Sequence, residues 1–290
     1  MIEAIAPVAR VDVLLSHPTC ARMIRLHLEA RGRAPLDAVR FVHLPTDDIW
    51  VRDYGAIIGY DADGRRAAVN PIYDPLDTYP QSRDDAMPAR YAALLEIPCA
   101  SLDLHTEGGN IWSDGAGTLL MSDDLYHRHP DMTPDAVCEC LRAAIAFEAL
   151  ITTPPLRHEE TGHIDLAIKL ADAKTILIAD GVPFNRDRLH TTRDQLTRAR
   201  NAAGEPYTLI TLPMPAPYLN WGVYPVWRSY TNALTVNGRV LMPTFGVPED
   251  ALALDIYRRV MPDYAIVGID CTAAVNGGGA VHCLTKEVPA

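Results

Sequence analysis

The 290-residue chain carries 26 Lys and Arg against 37 Asp and Glu, a formal charge of −11, and is 48% hydrophobic and 22% charged. Those fractions exclude intrinsic disorder and match an ordinary globular protein with a sizeable core. No run approaches the ~20 apolar residues of a membrane helix, no basic patch is dense enough for nucleic acid, and the acidic balance suits a cationic ligand.

In chain order, MIEAIAPVAR shows neither a basic n-region nor a long apolar run, so no signal peptide is expected. Helices are expected over His17–Arg31, Asp84–Leu95, Thr133–Leu150, Arg186–Arg200 and Pro248–Val260. Gly32 supplies a left-handed stop for the first, and Thr133-Pro134-Asp135 is an N-cap, a first-position proline and a first-turn acid. Short apolar runs follow as strands: Val39–Leu44, Cys99–Leu104, Leu150–Thr153, Thr208–Leu212 and Ala265–Ile269. After each comes a polar cluster, then a further apolar strand, with turns at Asp63-Gly64, Asp114-Gly115 and Asn237-Gly238. The segment Asn70–Arg83 and the proline-rich 213–217 read as ordered loops or lids. The six cysteines are scattered, as in a cytoplasmic protein with reduced thiols, and Cys138-x-Cys140 reads as packing.

One marker from each polar cluster, Asp53, Glu107, His163, Asn232 and Cys283, recurs at intervals of 54, 56, 69 and 51 residues. A strand–cluster–strand–helix unit at near-constant period predicts a ring of similar units with all five clusters facing one central site. Length alone allows two domains, but no linker divides the chain, and residues 1–290 are expected to form one α/β domain.

The clusters carry chemistry. Cys283 follows His282 and the run Gly277-Gly278-Gly279, where close backbone approach suits a reactive thiolate. In Gly162-His163-Ile164-Asp165, strand alternation would put His163 and Asp165 on one face, and histidine is the usual acid/base partner of a thiolate. Trp50-Val51-Arg52-Asp53 adds an aromatic and a carboxylate, with an Arg52–Asp pair as the bland alternative. Glu107-Gly108-Gly109-Asn110 adds another carboxylate before two glycines. His127-Arg128-His129 reads as an exposed loop, and no GxGxxG, Walker A or HExxH motif is present.

At these residues the sequence resembles the agmatine deiminase and bacterial-type peptidylarginine deiminase family of guanidine-modifying enzymes. The matching motifs are DDIWVRDYG (47–55), EGGN with DGAGTLL (107–120), GHID (162–165), SYTN with NGRVLMPTFG (229–246) and NGGGAVHC (276–283), in family order. The resemblance implies a fivefold pseudosymmetric α/β propeller, the pentein fold. It implies Cys283 as nucleophile, His163 as acid/base, Glu107 orienting the histidine, Asp53 and Asp165 holding the guanidinium, Trp50 lining the site and Asn232 as a polar contact. No metal or organic cofactor is implied. The expected partner is a small cationic guanidine, agmatine first, with peptidyl-arginine second. A catalytically silent binder of cationic amines is a third reading, and a homo-oligomer is compatible with each. Tyr54 and Ser229–Asn232 resemble the peptide-directed branch at least as well. Ala56 stands where the family often has proline. By this resemblance the amino terminus is expected to begin inside the family's first helix, so a strand that would pair with a carboxy-terminal strand Ala280–Lys286 is expected to be missing, leaving the first unit incomplete.

Overall fold

The computed structural model describes residues 1–73, 80–181 and 185–290. Strands β1 (Val11–Leu15) and β2 (Val39–His43) form a parallel pair. Four three-stranded sheets follow one pattern: β3 (Ile57–Tyr60), β4 (Arg66–Ile72) and β5 (Cys99–His105); β6 (Trp112–Ser113), β7 (Thr118–Ser122) and β8 (Ala149–Thr153); β9 (Ile168–Leu170), β10 (Thr175–Asp180) and β11 (Thr208–Pro213). A hairpin, β12 (Tyr218–Asn220) with β13 (Tyr224–Val226), precedes the last: β14 (Leu234–Val236), β15 (Arg239–Thr244) and β16 (Ala265–Asp270). In each of the four, the first strand is antiparallel to the second, and a helical crossover brings the third in parallel to the second.

The central strands explain this layering. Thr118–Ser122 is wholly buried, and Thr175–Asp180 and Arg239–Thr244 are buried except at their ends. Both faces are covered, which is why these strands read as continuous apolar runs rather than alternations. Helix residues Val137 and Leu141 join Leu102, Leu104 and Met121 in one core cluster, and Leu189 and Leu196 join Ile176 and Ile178 in another. Cys140 packs against the first of these clusters.

The hairpins turn where expected. Asn237 (φ +39°) and Gly238 (φ +77°) both take positive φ, as a type I′ turn requires. The first helix, Pro18–Arg31, stops at Gly32 (φ +59°), and Thr133 accepts from Ala136 N at 3.2 Å to cap Pro134–Ala144. That third helix ends at Ala144, short of the expected Leu150, because Ile145 is extended and 149–153 pairs with β7. The expected Asp84–Leu95 helix starts at Ser82 and breaks at Ala86, since Pro88 has no N–H to bond the carbonyl of Asp84. Of the expected Asn70–Arg83 loop, Asn70–Ile72 lies in β4, residues 74–79 lie outside the described residues, and Ser82 opens a helical turn.

Two expectations about the closing unit need correction. Val11–Leu15, in the stretch expected to lie inside a helix, is instead a strand that pairs with β2 through the full run Val11↔Val39 to Leu15↔His43. Ala280–Lys286 is not a strand. It folds into turns, Leu284 N donating to Ala280 O (3.2 Å) and Thr285 N to His282 O (3.0 Å), while Cys283 O accepts from Arg52 N (3.1 Å). Its backbone groups are thus used locally and by Arg52, and the β1–β2 sheet has one strand fewer than the other units among the described residues.

Leu241, fully buried in β15 opposite Leu234, anchors the largest core cluster. Leu241→Ala should cost about 2–5 kcal/mol, read in urea as a lower midpoint with an unchanged slope.

Candidate active site

Asp53, Glu107, His163 and Asn232 lie just before β3, β6, β9 and β14, and Cys283 lies in the carboxy-terminal turns. Each unit therefore delivers one short polar segment to the same end of its inner strand. Irregular backbone tethers them. The carboxylate of Asp84 accepts from Asp47 N (2.8 Å) and Asp48 N (3.0 Å), pinning the approach to the turn Val51–Tyr54. Asn110 Oδ1 accepts from Ser122 N (2.7 Å), and Ser122 Oγ donates to Gly162 O (2.5 Å), so the Glu107 and His163 segments are locked to one strand.

Two linked groups result. In the first, Glu107 lies between Arg128 (Nη1–Oε1 2.5 Å) and His163, whose Nε2 makes a short contact with Oε2. Asp53 Oδ1 accepts from Gly109 N (3.1 Å) and lies 3.5 Å from His163 Nδ1. In the second, Asn232 Nδ2 donates to Asp165 Oδ2 and to Cys283 Sγ, both at 3.1 Å. Asn232 Oδ1 accepts from the backbone N–H groups of His282 (3.1 Å) and Cys283 (3.3 Å). Asp165 Oδ2 also accepts from His282 Nδ1 at 2.6 Å, while Oδ1 is buried with no hydrogen-bond partner. Trp50 lies against Gly277 and Gly279: a Cβ on Gly279 would fall 2.5 Å from the indole and 2.8 Å from Cys283 Cβ. Only glycine fits between the two.

Burial dominates the electrostatics. It pushes Asp165 up to about 7 and Asp53 up to about 6, with neighbouring carboxylates adding to the rise and His163 opposing it. Burial alone would lower His163, but Asp53 and Glu107 outweigh it and hold the imidazole near 10. Glu107, despite burial, is kept low by His163 and Arg128. Burial, with Asp165 and Asp53, drives the Cys283 thiol well above its usual range. The site thus holds a charged imidazole, a neutral thiol and an excess of buried carboxylate.

All seven residues singled out in the sequence enter this site or its wall, but not all as expected. His163 and Asp165 do not share a strand face. His163 caps a 3₁₀ turn, Ile164–Leu166, and β9 begins only at Ile168. His127-Arg128-His129 is not an exposed loop: His127 ends a helical turn, Arg128 pairs with Glu107 and Asp124, and His129 is buried, accepting from His105 N at 3.0 Å. Arg52 pairs with Glu287 (2.5 Å), not with an aspartate. Tyr54 and Tyr230 are buried core residues bonded to Asp48 O and Asp250. Arg128 and His282 were missed as members of the site. His282 stood beside the cysteine in the motif, whereas nothing local marks Arg128.

A cavity of about 570 Å³ lined by Met1, Ile2, Met23 and Leu28 shares no residue with this site, and another of about 200 Å³ lies at the far ends of β6, β9 and β14. The buried charges converge away from the larger of these two cavities. Among the described residues no group of three or more His, Cys, Asp or Glu is arranged to hold a metal ion. No helix among them is long and apolar enough to cross a membrane.

A ring of α/β units closing on a thiol, an imidazole and paired carboxylates defines a pentein-type protein. The chain belongs to the Porphyromonas-type peptidyl-arginine deiminase family, whose sequence model matches residues 1–289. It is 28% identical to the agmatine deiminase of Pseudomonas fluorescens over 98% of this chain and 86% of that one. It is 29% identical to that of Pseudomonas putida over 90% and 80%. The structure of agmatine deiminase of Enterococcus faecalis superposes with a TM-score of 0.85 at 21% identity, covering 98% of this chain and 84% of that one, a likeness of fold.

Asp53 is the foremost carboxylate raising His163. Asp53→Asn should lower the imidazole's midpoint by about 1–3 pH units, followed by NMR of the His163 ring. Gly109→Ala should disturb both groups, because its Cβ would collide with His163 Nδ1 and lie 2.6 Å from Asp53 Oδ1.

Proposed function

We propose that the protein hydrolyses the guanidinium group of agmatine to give N-carbamoylputrescine and ammonia. The observation that carries this is Asp165: a fully buried carboxylate with one oxygen unpartnered, near a second buried carboxylate, Asp53, and next to a thiol. A buried anion without compensation is costly. A planar guanidinium offers five N–H donors and one positive charge, which fits such a pair.

In this reading Asp53 and Asp165 bind the guanidinium and Trp50 walls the site. The bound cation lowers the thiol pKa of Cys283, whose proton leaves to solvent, and Asn232 hydrogen-bonds the sulfur. The thiolate adds to the guanidinium carbon. The C–N bond then breaks as His163, held by Glu107, protonates the departing nitrogen, releasing ammonia and leaving an S-alkylthiouronium. His163, now neutral, takes a proton from water, whose oxygen adds to the same carbon; the C–S bond then breaks as the added hydroxyl gives its remaining proton to solvent, yielding the neutral carbamoyl product and the thiolate. No step calls for a metal or organic cofactor.

The slim substrate is favoured by burial: Cys283, His163 and Asp165 are at most 5% exposed. The relatives named agmatine deiminase, each aligned over most of its length, support the same choice. The family description supports peptidyl-arginine as the second reading. We further propose that the matched span works as one catalytic domain, and that its six free cysteines suit a reducing compartment such as the cytoplasm.

Ammonia release from agmatine, free arginine and an arginyl peptide tests the reading. Release from agmatine, abolished in Cys283→Ser, is expected; release from the peptide alone would transfer the activity to that substrate, and release from none would leave a silent binder. Both substrate carboxylates have raised pKa values, so their charge is present above about 7 and lost as pH falls through 7 to 6. The pH profile of kcat/KM should show an acid limb in that window, about tenfold per pH unit at first and steeper below pH 6.

A further inference from the structure

We infer that His282 is a positioning residue for guanidinium binding: its Nδ1–H holds Asp165 ionised and anchored through Oδ2, leaving Oδ1 for the ligand. The inference rests on the reading of Asp165 as a guanidinium-binding carboxylate.

The ring of His282 has no freedom to do otherwise. It is 1% exposed and stacked on Trp112, with centroids 4.6 Å apart and planes 18° from parallel. The Trp112 ring in turn carries Lys169 Nζ at 4.9 Å, and that ammonium is fixed by a 2.9 Å bond to Ala233 O. The His282 backbone is held on both sides, N–H by Asn232 Oδ1 and carbonyl by Arg52 Nε at 3.3 Å.

The tautomer follows from the contacts. Nδ1 lies 2.6 Å from Asp165 Oδ2, and Nε2 is buried without a partner. A proton on Nε2 would orphan a donor and set two lone pairs face to face; on Nδ1 it makes a charge-assisted hydrogen bond. A second proton is opposed by burial and by the cations facing the ring, Arg52, Lys169 and Lys286, with His163 beyond. The donor is therefore neutral.

That neutrality matters. Asp165 faces Asp53 and Glu159, which favour its protonation, and His163 and Arg52, which oppose it. A cation in the place of His282 would also keep Asp165 ionised, but it would cancel the charge that attracts the substrate. A neutral donor replaces the water lost on burial and leaves the negative charge for the guanidinium.

The test separates this role from packing alone. Guanidinium binding to Cys283→Ser is measured by calorimetry from pH 6 to 9, alone and combined with His282→Leu or His282→Asn, with urea stability in parallel. Leu removes the donor; Asn keeps an amide N–H near the Nδ1 position. In His282→Leu the acid limb of affinity should move up by about one pH unit, with binding about fivefold weaker at pH 7 and recovered at pH 9. His282→Asn should keep the limb near its original position. If His282→Leu does not fold, His282→Gln, whose amide reaches the Nε2 position instead, should show the same upward move. A limb unmoved in the donor-free variant, or an equal loss at every pH in both variants, would overturn the inference. No guanidinium binding to Cys283→Ser alone would instead overturn the proposed function.

Discussion

The burial of three carboxylates where the ring closes is the constraint on which the rest of this structure depends. Asp53, Glu107 and Asp165 are 7%, 3% and 0% exposed, and each would be costly as an isolated ion. The fold compensates them unequally. Glu107 has Arg128 and His163 on its two oxygens. Asp53 has one backbone N–H and the edge of His163. Asp165 has two neutral donors on one oxygen and none on the other. The deficit that remains matches a single planar cation. The same deficit, with burial, holds Cys283 as a thiol.

Behind this layer the charges are inverted. Arg52 and Lys169 are buried there and Lys286 is half-buried, directed to the Glu287 carboxylate and to the carbonyls of His282, Ala233 and Arg52. Burial lowers Lys169 and Lys286 to about 7, so this layer is itself poorly solvated. Its groups are paired mainly with dipoles and one carboxylate. They support the site without donating to the free oxygen of Asp165. The turns around Cys283 belong to this support, since Arg52 takes carbonyls from both His282 and Cys283. A regular strand there would have used those carbonyls in a ladder. Local irregularity at a functional residue is the usual sign that position has been favoured over ideal backbone.

Much of this was legible in the sequence because it is local. Central strands such as Thr118–Ser122 read as short apolar runs, Thr133-Pro134 announces a helix start, and Asn237-Gly238 turns a hairpin through positive φ. The spacing of Asp53, Glu107, His163, Asn232 and Cys283 is also a linear property, and it placed the residues that converge. What failed was local geometry under tertiary control. Alternation suggested a strand at Gly162–Asp165, yet bonds from Ser122 and Thr231 to this segment hold it as a cap and a 3₁₀ turn. An apolar carboxy-terminal stretch suggested a strand, yet its carbonyls bond to Arg52 and within its own turns. Val11–Leu15 lies in the stretch that the family resemblance places inside a helix, and its status as a strand rests on pairing with a strand 28 residues later.

The sequence by itself determined the repeating unit, the turns, and the identities and order of the reactive side chains, because periodicity and spacing survive in one dimension. Only the tertiary structure decided which carboxylate is compensated and which is left open, that Arg52 pairs with Glu287 rather than an aspartate while Arg128 holds Glu107, and that His282 bonds Asp165. Those outcomes depend on desolvation and on hydrogen bonds between residues as far apart as Asp165 and His282, and no local pattern encodes the environment that ring closure creates.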